Sequence, residues 1–189
     1  MNLRSVFRLL LIVLVAPLLS GAVSRASPAL IVEDSVAQDF ESLALETWGR
    51  FLATFEARWG CFGDVRLRAS SALDRRATYN PRTATVTVRV PGTEAMLQSA
   101  LIHEWAHHVE YQCKAHEELR ADFLIAQGYP PGTPWRADVE GGAVVPSEEY
   151  AEATIAVVLG RRSIPTGARV TTEGLEVIAA WAWGGRLSP

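Results

Sequence analysis

The chain contains little lysine, little cysteine and no apolar run long enough to cross a membrane. Its 18 basic residues include a single lysine, Lys114, and face 21 acidic residues, for a net charge of −3. A chain without a basic excess lacks the electrostatic footprint that nucleic-acid binding requires, and an anionic membrane surface does not attract it. The main apolar run, Leu9–Leu19, is about half of the roughly 20 residues that span a bilayer. We therefore expect no nucleic-acid partner and no stable membrane insertion.

The same apolar run has the surroundings of a secretory signal peptide. Arg4 and Arg8 lie at its start, and small residues follow it, which is the three-part pattern of such a segment. Ser24 and Ala26 suit the −3 and −1 positions, so we expect cleavage after Ala26. Cleavage after Ala22 is the alternative.

Removal of residues 1–26 leaves one predicted domain, residues 27–189, which we expect to be secreted. This length can bury a sizeable core. The chain has two cysteines, Cys61 and Cys113. Because exported proteins mature in an oxidising compartment, we expect them to form a disulfide. Two buried free thiols are the alternative.

Hydrophobic periodicity predicts an α+β fold, with helices around a small antiparallel sheet. Residues 83–90 alternate valine with polar residues, which predicts a half-buried strand and a candidate edge strand. A turn at Asn80-Pro81 would join it to the strand before it, and we expect Thr93 and Ser147 to cap the helices that follow them. The predicted elements are a helix at 33–59 that Gly60 ends, strands at 64–69, 77–79 and 83–90, helices at 94–111, 116–127, 147–159 and 172–183, and a long loop at 129–146.

The most informative motif is His103-Glu104-Trp105-Ala106-His107, which lies within a predicted helix. Residues four apart lie about 40° apart around a helix, so both imidazoles project from one face. Their spacing suits two corners of a zinc tetrahedron. Glu104 lies beside this face, where it can take a proton from a water that zinc activates. The motif therefore predicts a Zn²⁺ site with Glu104 as the catalytic base.

A catalytic zinc site needs a third protein ligand, and the acidic start of the helix at 147–159 offers candidates. Glu148 and Glu152 are four residues apart and share one face. We expect Glu148 to bind the metal and Glu152 to accept a hydrogen bond from a ligating histidine. Glu149, which lies on a different face, is the alternative ligand.

The sequence HEWAHH, followed by a helix that contains E-E-Y-A-E, resembles the gluzincin zinc metallopeptidases. It looks most like their small, minigluzincin-like secreted bacterial forms, over residues 64–160. The resemblance implies a zincin-like fold and hydrolysis of peptide bonds. It implies that His103, His107 and Glu148 bind zinc, that Glu104 is the base and that Glu152 supports a ligand. It also implies that the strand at 83–90 is the edge strand that binds the substrate.

The resemblance does not identify the residue that stabilises the oxyanion, and five residues stay open for this role. They are Tyr111, Tyr129, Tyr150, His108 and His116. For the two histidines we expect a place on the protein surface, because His108 is rotated about 100° from His107 and His116 follows the helix end. The alternative to a peptidase is a non-catalytic secreted zinc-binding module, and a third reading is a secreted helical domain without metal.

Overall fold

A computed structural model describes residues 27–136 and 145–185. The predicted signal peptide, residues 137–144 of the long loop and residues 186–189 lie outside the described residues. Within the described residues, no helix is both long enough and apolar enough to cross a membrane. In chain order the described elements are β1 (Leu30–Val32), α1 (Gln38–Thr54), β2 (Val65–Ser70), β3 (Ala77–Asn80), β4 (Thr85–Arg89), α2 (Glu94–Gln112), α3 (His116–Ala126), α4 (Pro146–Leu159) and α5 (Thr172–Ala182).

The fold is α+β, as predicted, but its sheet is mixed and the expectation of an antiparallel sheet was wrong. The strand order is β1-β2-β4-β3. β1 pairs with β2 and β2 pairs with β4 in parallel, whereas β3 and β4 are antiparallel. Parallel neighbours need a crossover connection, and α1 provides it between β1 and β2. The short strand β1 was not predicted, so neither was this crossover.

The strand β4 lies inside the sheet, so its prediction as an edge strand was wrong. Its two neighbours are β2 and β3. The predicted alternation is present, because Val86 and Val88 are fully buried while Arg89 is exposed. Alternation reports which face of a sheet a side chain occupies, not which strands lie alongside. In the described part of the chain, the edge next to β4 is formed by β3.

The helix α1 is shorter than the predicted helix at 33–59. The backbone of Ala37 is extended, with ψ of 151°, so the helix begins only after it. It ends at Thr54 rather than at Gly60. The apolar spacing continues beyond the helix because Phe55 is fully buried and Trp59 packs against the same core from the turn that follows.

The helix α2 carries the His103–His107 motif and is the central element of the fold. It packs against α1, α4, β3 and β4. As predicted, Thr93 caps it, with the hydroxyl oxygen accepting a hydrogen bond from the backbone N–H of Met96 at 3.4 Å. Leu101 and Trp105 are fully buried on this helix. The motif therefore lies on an element that is packed on several sides.

A disulfide joins Cys61 and Cys113, as predicted from the export signal. Cys113 is the residue that ends α2, and Cys61 lies in a short 3₁₀ turn after α1. Their Cα atoms are 4.9 Å apart. The bond ties the end of α2 to the chain segment that precedes β2.

Candidate metal centre

The helix α4 brings acidic residues to α2, against which it packs. It begins at Pro146, with Val145 as the capping residue, so the prediction that Ser147 caps the helix was wrong. Proline is favoured in the first turn because the N–H that it lacks would have no partner there. The first turn then carries Glu148 and Glu149, which point in different directions.

Three donor groups converge between α2 and α4. The Nε2 atoms of His103 and His107 are 3.3 Å apart. The Oε2 atom of Glu148 lies 3.1 Å from His103 Nε2, and its Oε1 atom lies 3.4 Å from His107 Nε2. All three groups place a ligand atom within 4.8 Å of the others. Two imidazole nitrogens and a carboxylate oxygen at these separations fit a zinc ion, whose ligand bonds are about 2 Å long.

Each histidine also has a carboxylate next to its other ring nitrogen. His107 Nδ1 lies 3.0 Å from Glu110 Oε2, within a hydrogen bond. His103 Nδ1 lies 3.2 Å from Glu152 Oε1, at hydrogen-bonding distance but outside hydrogen-bonding angles. Carboxylates in these positions favour the tautomer that leaves Nε2 free for a metal.

Glu152 lies next to His103, as the sequence predicts, but without the predicted hydrogen bond. It is almost fully buried, and besides His103 it contacts Arg76 at 3.2 Å and Arg162 at 3.4 Å. Burial would raise the pKa of Glu152, but His103 and Arg76 hold it below its usual value. The carboxylate therefore stays ionised beside the imidazole of His103.

Glu110 is the residue of this centre that the sequence analysis missed. It is 3% exposed, and its Oε1 atom accepts hydrogen bonds from Trp135 Nε1 and Arg136 Nε. Burial would raise the pKa of Glu110, but the hydrogen bond to His107 lowers it. The available signal was its position three residues after His107, one turn along the same helix.

Glu149 faces away from the two histidines. Its carboxylate accepts a hydrogen bond from Gln127 Nε2 at 3.0 Å and lies 3.9 Å from Arg169 Nε. Of the two glutamates that the sequence left as candidate ligands, the structure brings Glu148 to the histidine pair and holds Glu149 elsewhere.

Without a metal, the converging groups form a cluster of charged pairs. Burial alone would lower the pKa of both histidines, but the neighbouring carboxylates raise it for His103 and, for His107, to about 10. The hydrogen bonds with His103 and His107 hold the pKa of Glu148 well below its usual range. A carboxylate kept ionised beside two imidazoles is a site in which a divalent cation can replace protons.

Glu104 lies beside this cluster and is not one of its converging donors. It is 8% exposed and lines an open cleft of about 550 Å³ together with His103, His107 and Glu148. Burial raises the pKa of its carboxyl group. Its position within the cleft suits a group that accepts a proton from a reacting molecule.

The edge strand β3 forms another wall of the cleft, through Ala77, Thr78 and Tyr79. The backbone N–H of Arg89 donates to the carbonyl of Arg76 at 2.8 Å. Because antiparallel ladders alternate, the backbone groups of Ala77 and Tyr79 must point away from β4. No described strand pairs with them on that side.

His108 and His116 are both fully buried, so the prediction of surface positions was wrong. His108 Nδ1 lies 3.0 Å from the hydroxyl oxygen of Tyr79, and burial lowers the pKa of this histidine to about 4. The ring of His116 packs against Tyr150 and Trp181, and burial lowers its pKa to about 3. The rotation of about 100° per residue of a helix predicts that His108 does not share a metal with His107. It does not predict the buried contacts that His108 and His116 make.

Tyr111 is the one candidate oxyanion donor that lines the described cleft. It is 46% exposed, and the guanidinium of Arg136 lies 3.6 Å from the centre of its ring. The remaining candidates, Tyr129, Tyr150, His108 and His116, do not line it.

Comparison of the chain with known protein families, with curated proteins and with solved structures finds no match. A function must therefore be argued from the site itself. The site combines three converging groups that could bind a metal, a buried carboxylate beside them and an open cleft. One wall of the cleft is a strand edge with which no other described strand pairs.

Proposed function

We propose that the chain is a secreted zinc-dependent metallopeptidase of gluzincin type, with a zincin-like fold. The observation that carries this proposal is the convergence of His103, His107 and Glu148 beside Glu104 in one open cleft. Two histidines and a glutamate, with one position left for water or substrate, are the donor set of several catalytic zinc sites. A structural zinc site is instead closed by four protein ligands, and the described residues bring three together here.

The residues around the centre have distinct roles in this proposal. When bound, zinc would polarise the scissile carbonyl and make water acidic enough to lose a proton near neutral pH. Glu104 takes that proton and later returns it to the leaving amine, a general base that becomes a general acid. His103 and His107 would hold the ion through Nε2. Glu110, hydrogen-bonded to His107 Nδ1, and Glu152, next to His103 Nδ1, are placed to support the two rings.

The substrate in this proposal is an extended peptide that adds to the edge of β3. The outward backbone groups of Ala77 and Tyr79 would pair with it, and main-chain hydrogen bonds of this kind accept many sequences. The resemblance implied the strand at 83–90 for this role, but β4 has neighbours on both sides. Tyr111 is the candidate to donate a hydrogen bond to the carbonyl oxygen as it gains negative charge.

Export from the cell is part of the same proposal. The Cys61–Cys113 disulfide supports it, because such bonds persist mainly in oxidising compartments. The predicted signal peptide would direct the chain there. The substrate is accordingly a peptide or protein outside the cytoplasm.

The test compares the purified mature protein with four variants. Wild type is expected to bind one zinc ion and to cleave an unbiased peptide pool. Glu104→Gln should keep the zinc and lose cleavage, because an amide cannot act as the base. His103→Ala and His107→Ala should each lose both. Glu118→Gln, on an exposed position of α3, is the matched control and should behave as wild type.

Three results would contradict the proposal in different ways. Stoichiometric zinc with no cleavage of any peptide would favour the alternative, a non-catalytic zinc-binding module. Full zinc content in both His103→Ala and His107→Ala would mean that the metal binds elsewhere. Unchanged cleavage by Glu104→Gln would remove Glu104 from the mechanism.

A further inference from the structure

Acidic and basic side chains line different parts of the cleft. Its acidic lining residues all belong to the metal centre, whereas three arginines, Arg75, Arg76 and Arg136, line other parts of the described cleft. The whole chain has a net charge of −3. The positive walls are therefore a local feature of this cleft.

Two of these arginines form ion pairs with buried carboxylates. Arg76 contacts Glu152 at 3.2 Å, and Arg136 forms an ion pair with Glu110. Both carboxylates support the ligating histidines. Arg76 and Arg136 thus already have carboxylate partners within the protein.

Arg75 differs from both. It is exposed and lines the cleft two residues before β3 begins at Ala77. Among the described residues, no carboxylate oxygen lies within 4.0 Å of its guanidinium nitrogens. Within the described part of the chain, Arg75 is therefore a positive charge without an ion-pair partner, at the start of the strand edge that faces the cleft.

We infer that Arg75 selects peptides that place a carboxylate in the cleft beside the start of β3. The inference rests on the proposed function, because it takes a peptide as the occupant of the cleft. A guanidinium presents paired N–H donors that match the two oxygens of a carboxylate. The walls of a cleft also focus the field of a lining charge and raise the local concentration of an oppositely charged ligand. The carboxylate can come from an aspartate or glutamate side chain or from a peptide C-terminus.

The test measures binding rather than cleavage. Zinc-loaded Glu104→Gln protein, which leaves the peptides intact, is titrated against three dye-labelled pools and followed by fluorescence anisotropy. The first pool has one central glutamate and an amidated C-terminus, the second has glutamine and an amidated C-terminus, and the third has glutamine and a free C-terminal carboxylate. The first and third pools distinguish the two sources of the carboxylate.

At least one carboxylate-bearing pool is expected to bind roughly two- to fivefold more tightly than the neutral pool, the range of an exposed ion pair. The preference should weaken as salt is added. Adding Arg75→Gln to the protein should abolish it. Adding Arg82→Gln instead should preserve it, because Arg82 is an exposed arginine of the β3–β4 turn that does not line the cleft.

Several outcomes would overturn the inference. The first is equal binding of all three pools, and the second is binding of none. The third is a preference for carboxylate-bearing peptides that survives Arg75→Gln, which would mean that the metal binds the carboxylate. A preference that depends on Arg75, in a protein whose wild type cleaves nothing, would uphold the inference and reject the peptidase. Cleavage by wild type without any preference for acidic peptides would support the peptidase and reject the inference about Arg75.

Discussion

The Nδ1 atom of His107 lies 3.0 Å from Glu110, and the same carboxylate accepts hydrogen bonds from Trp135 and Arg136 in the segment after α3. A candidate metal ligand is thus oriented by a buried group that also anchors a neighbouring segment of the cleft wall. Partners of this kind fix the tautomer and the ring orientation of a ligating histidine. The order of that segment and the affinity of the metal centre should therefore depend on each other.

The first prediction concerns Glu110→Gln, which keeps the size of the side chain and removes its charge. Zinc affinity should fall about 10- to 100-fold, the usual cost of losing a carboxylate behind a ligating histidine. Competition with a chromogenic chelator measures the change, and circular dichroism checks that the fold is kept. Glu118→Gln is the control. If folded Glu110→Gln binds zinc as tightly as wild type, Glu110 does not support the metal centre and only anchors Trp135 and Arg136.

The second prediction ranks the three glutamates of α4. Zinc affinity should decrease in the order wild type and Glu149→Ala, then Glu152→Ala, then Glu148→Ala. Glu148 contacts Nε2 of both histidines. Glu152 contacts one of the two histidines, His103, at Nδ1. Glu149 contacts neither histidine and binds Gln127 instead.

The same chelator competition gives this order, and thermal unfolding should be recorded beside it. Glu149→Ala is expected to lower the melting temperature, since Gln127 loses a buried hydrogen-bond partner. If Glu149→Ala instead binds zinc most weakly of the three, the assignment of Glu148 as the third ligand is wrong.

The sequence could predict the relative directions of side chains on one helix. A rotation of 100° per residue places His103 with His107 and Glu148 with Glu152, and the structure has both pairs on facing sides of α2 and α4. That the two helices pack together does not follow from either spacing. The resemblance to a known arrangement supplied that step.

Several features that the sequence analysis predicted wrongly or missed depend on contacts between residues that are distant in the chain. His108 was expected at the surface, but Tyr79 of β3 covers it. Glu110 was overlooked because its burial depends on Trp135, 25 residues further along. The position of β4 inside the sheet likewise depends on β3 forming the edge, and no alternation of side chains can reveal a neighbouring strand.

The third prediction concerns the disulfide. Its cysteines are separated by 52 positions, and closing a loop of that size stabilises the fold by roughly 4 kcal/mol in the chain-entropy model. The double variant Cys61→Ala/Cys113→Ala should lose about that much free energy of unfolding in urea, compared with oxidised wild type. Reduced wild type is the matched control and should resemble the variant. Equal stability of all three would mean that the unfolded chain is already restrained.

The last prediction concerns the dependence of stability on pH. His116 is fully buried against Tyr150 and Trp181, and burial lowers its pKa to about 3. In the unfolded chain its pKa is about 6.5. Between about pH 3 and about pH 6.5, His116 is therefore protonated in the unfolded chain and neutral in the folded protein. The contribution of neutral His116 to stability is therefore complete above about pH 6.5 and is lost as the pH falls toward 3, by about 1.4 kcal/mol for each pH unit well below 6.5.

The variant His116→Phe tests this relationship because it keeps an aromatic ring against Tyr150 and Trp181 and cannot titrate. Urea unfolding with a metal chelator, from about pH 7 to about pH 4.5, should show a shallower loss of stability in the variant than in wild type. Some loss should persist, since burial also lowers the pKa of His108 to about 4. Glu110 raises the pKa of His116, whereas Arg120 and Arg136 lower it. These effects act on the imidazole, so they are present in wild type and absent from the variant, and the comparison includes them. Parallel curves for the two proteins would show that His116 takes up its proton in the folded state as readily as in the unfolded chain.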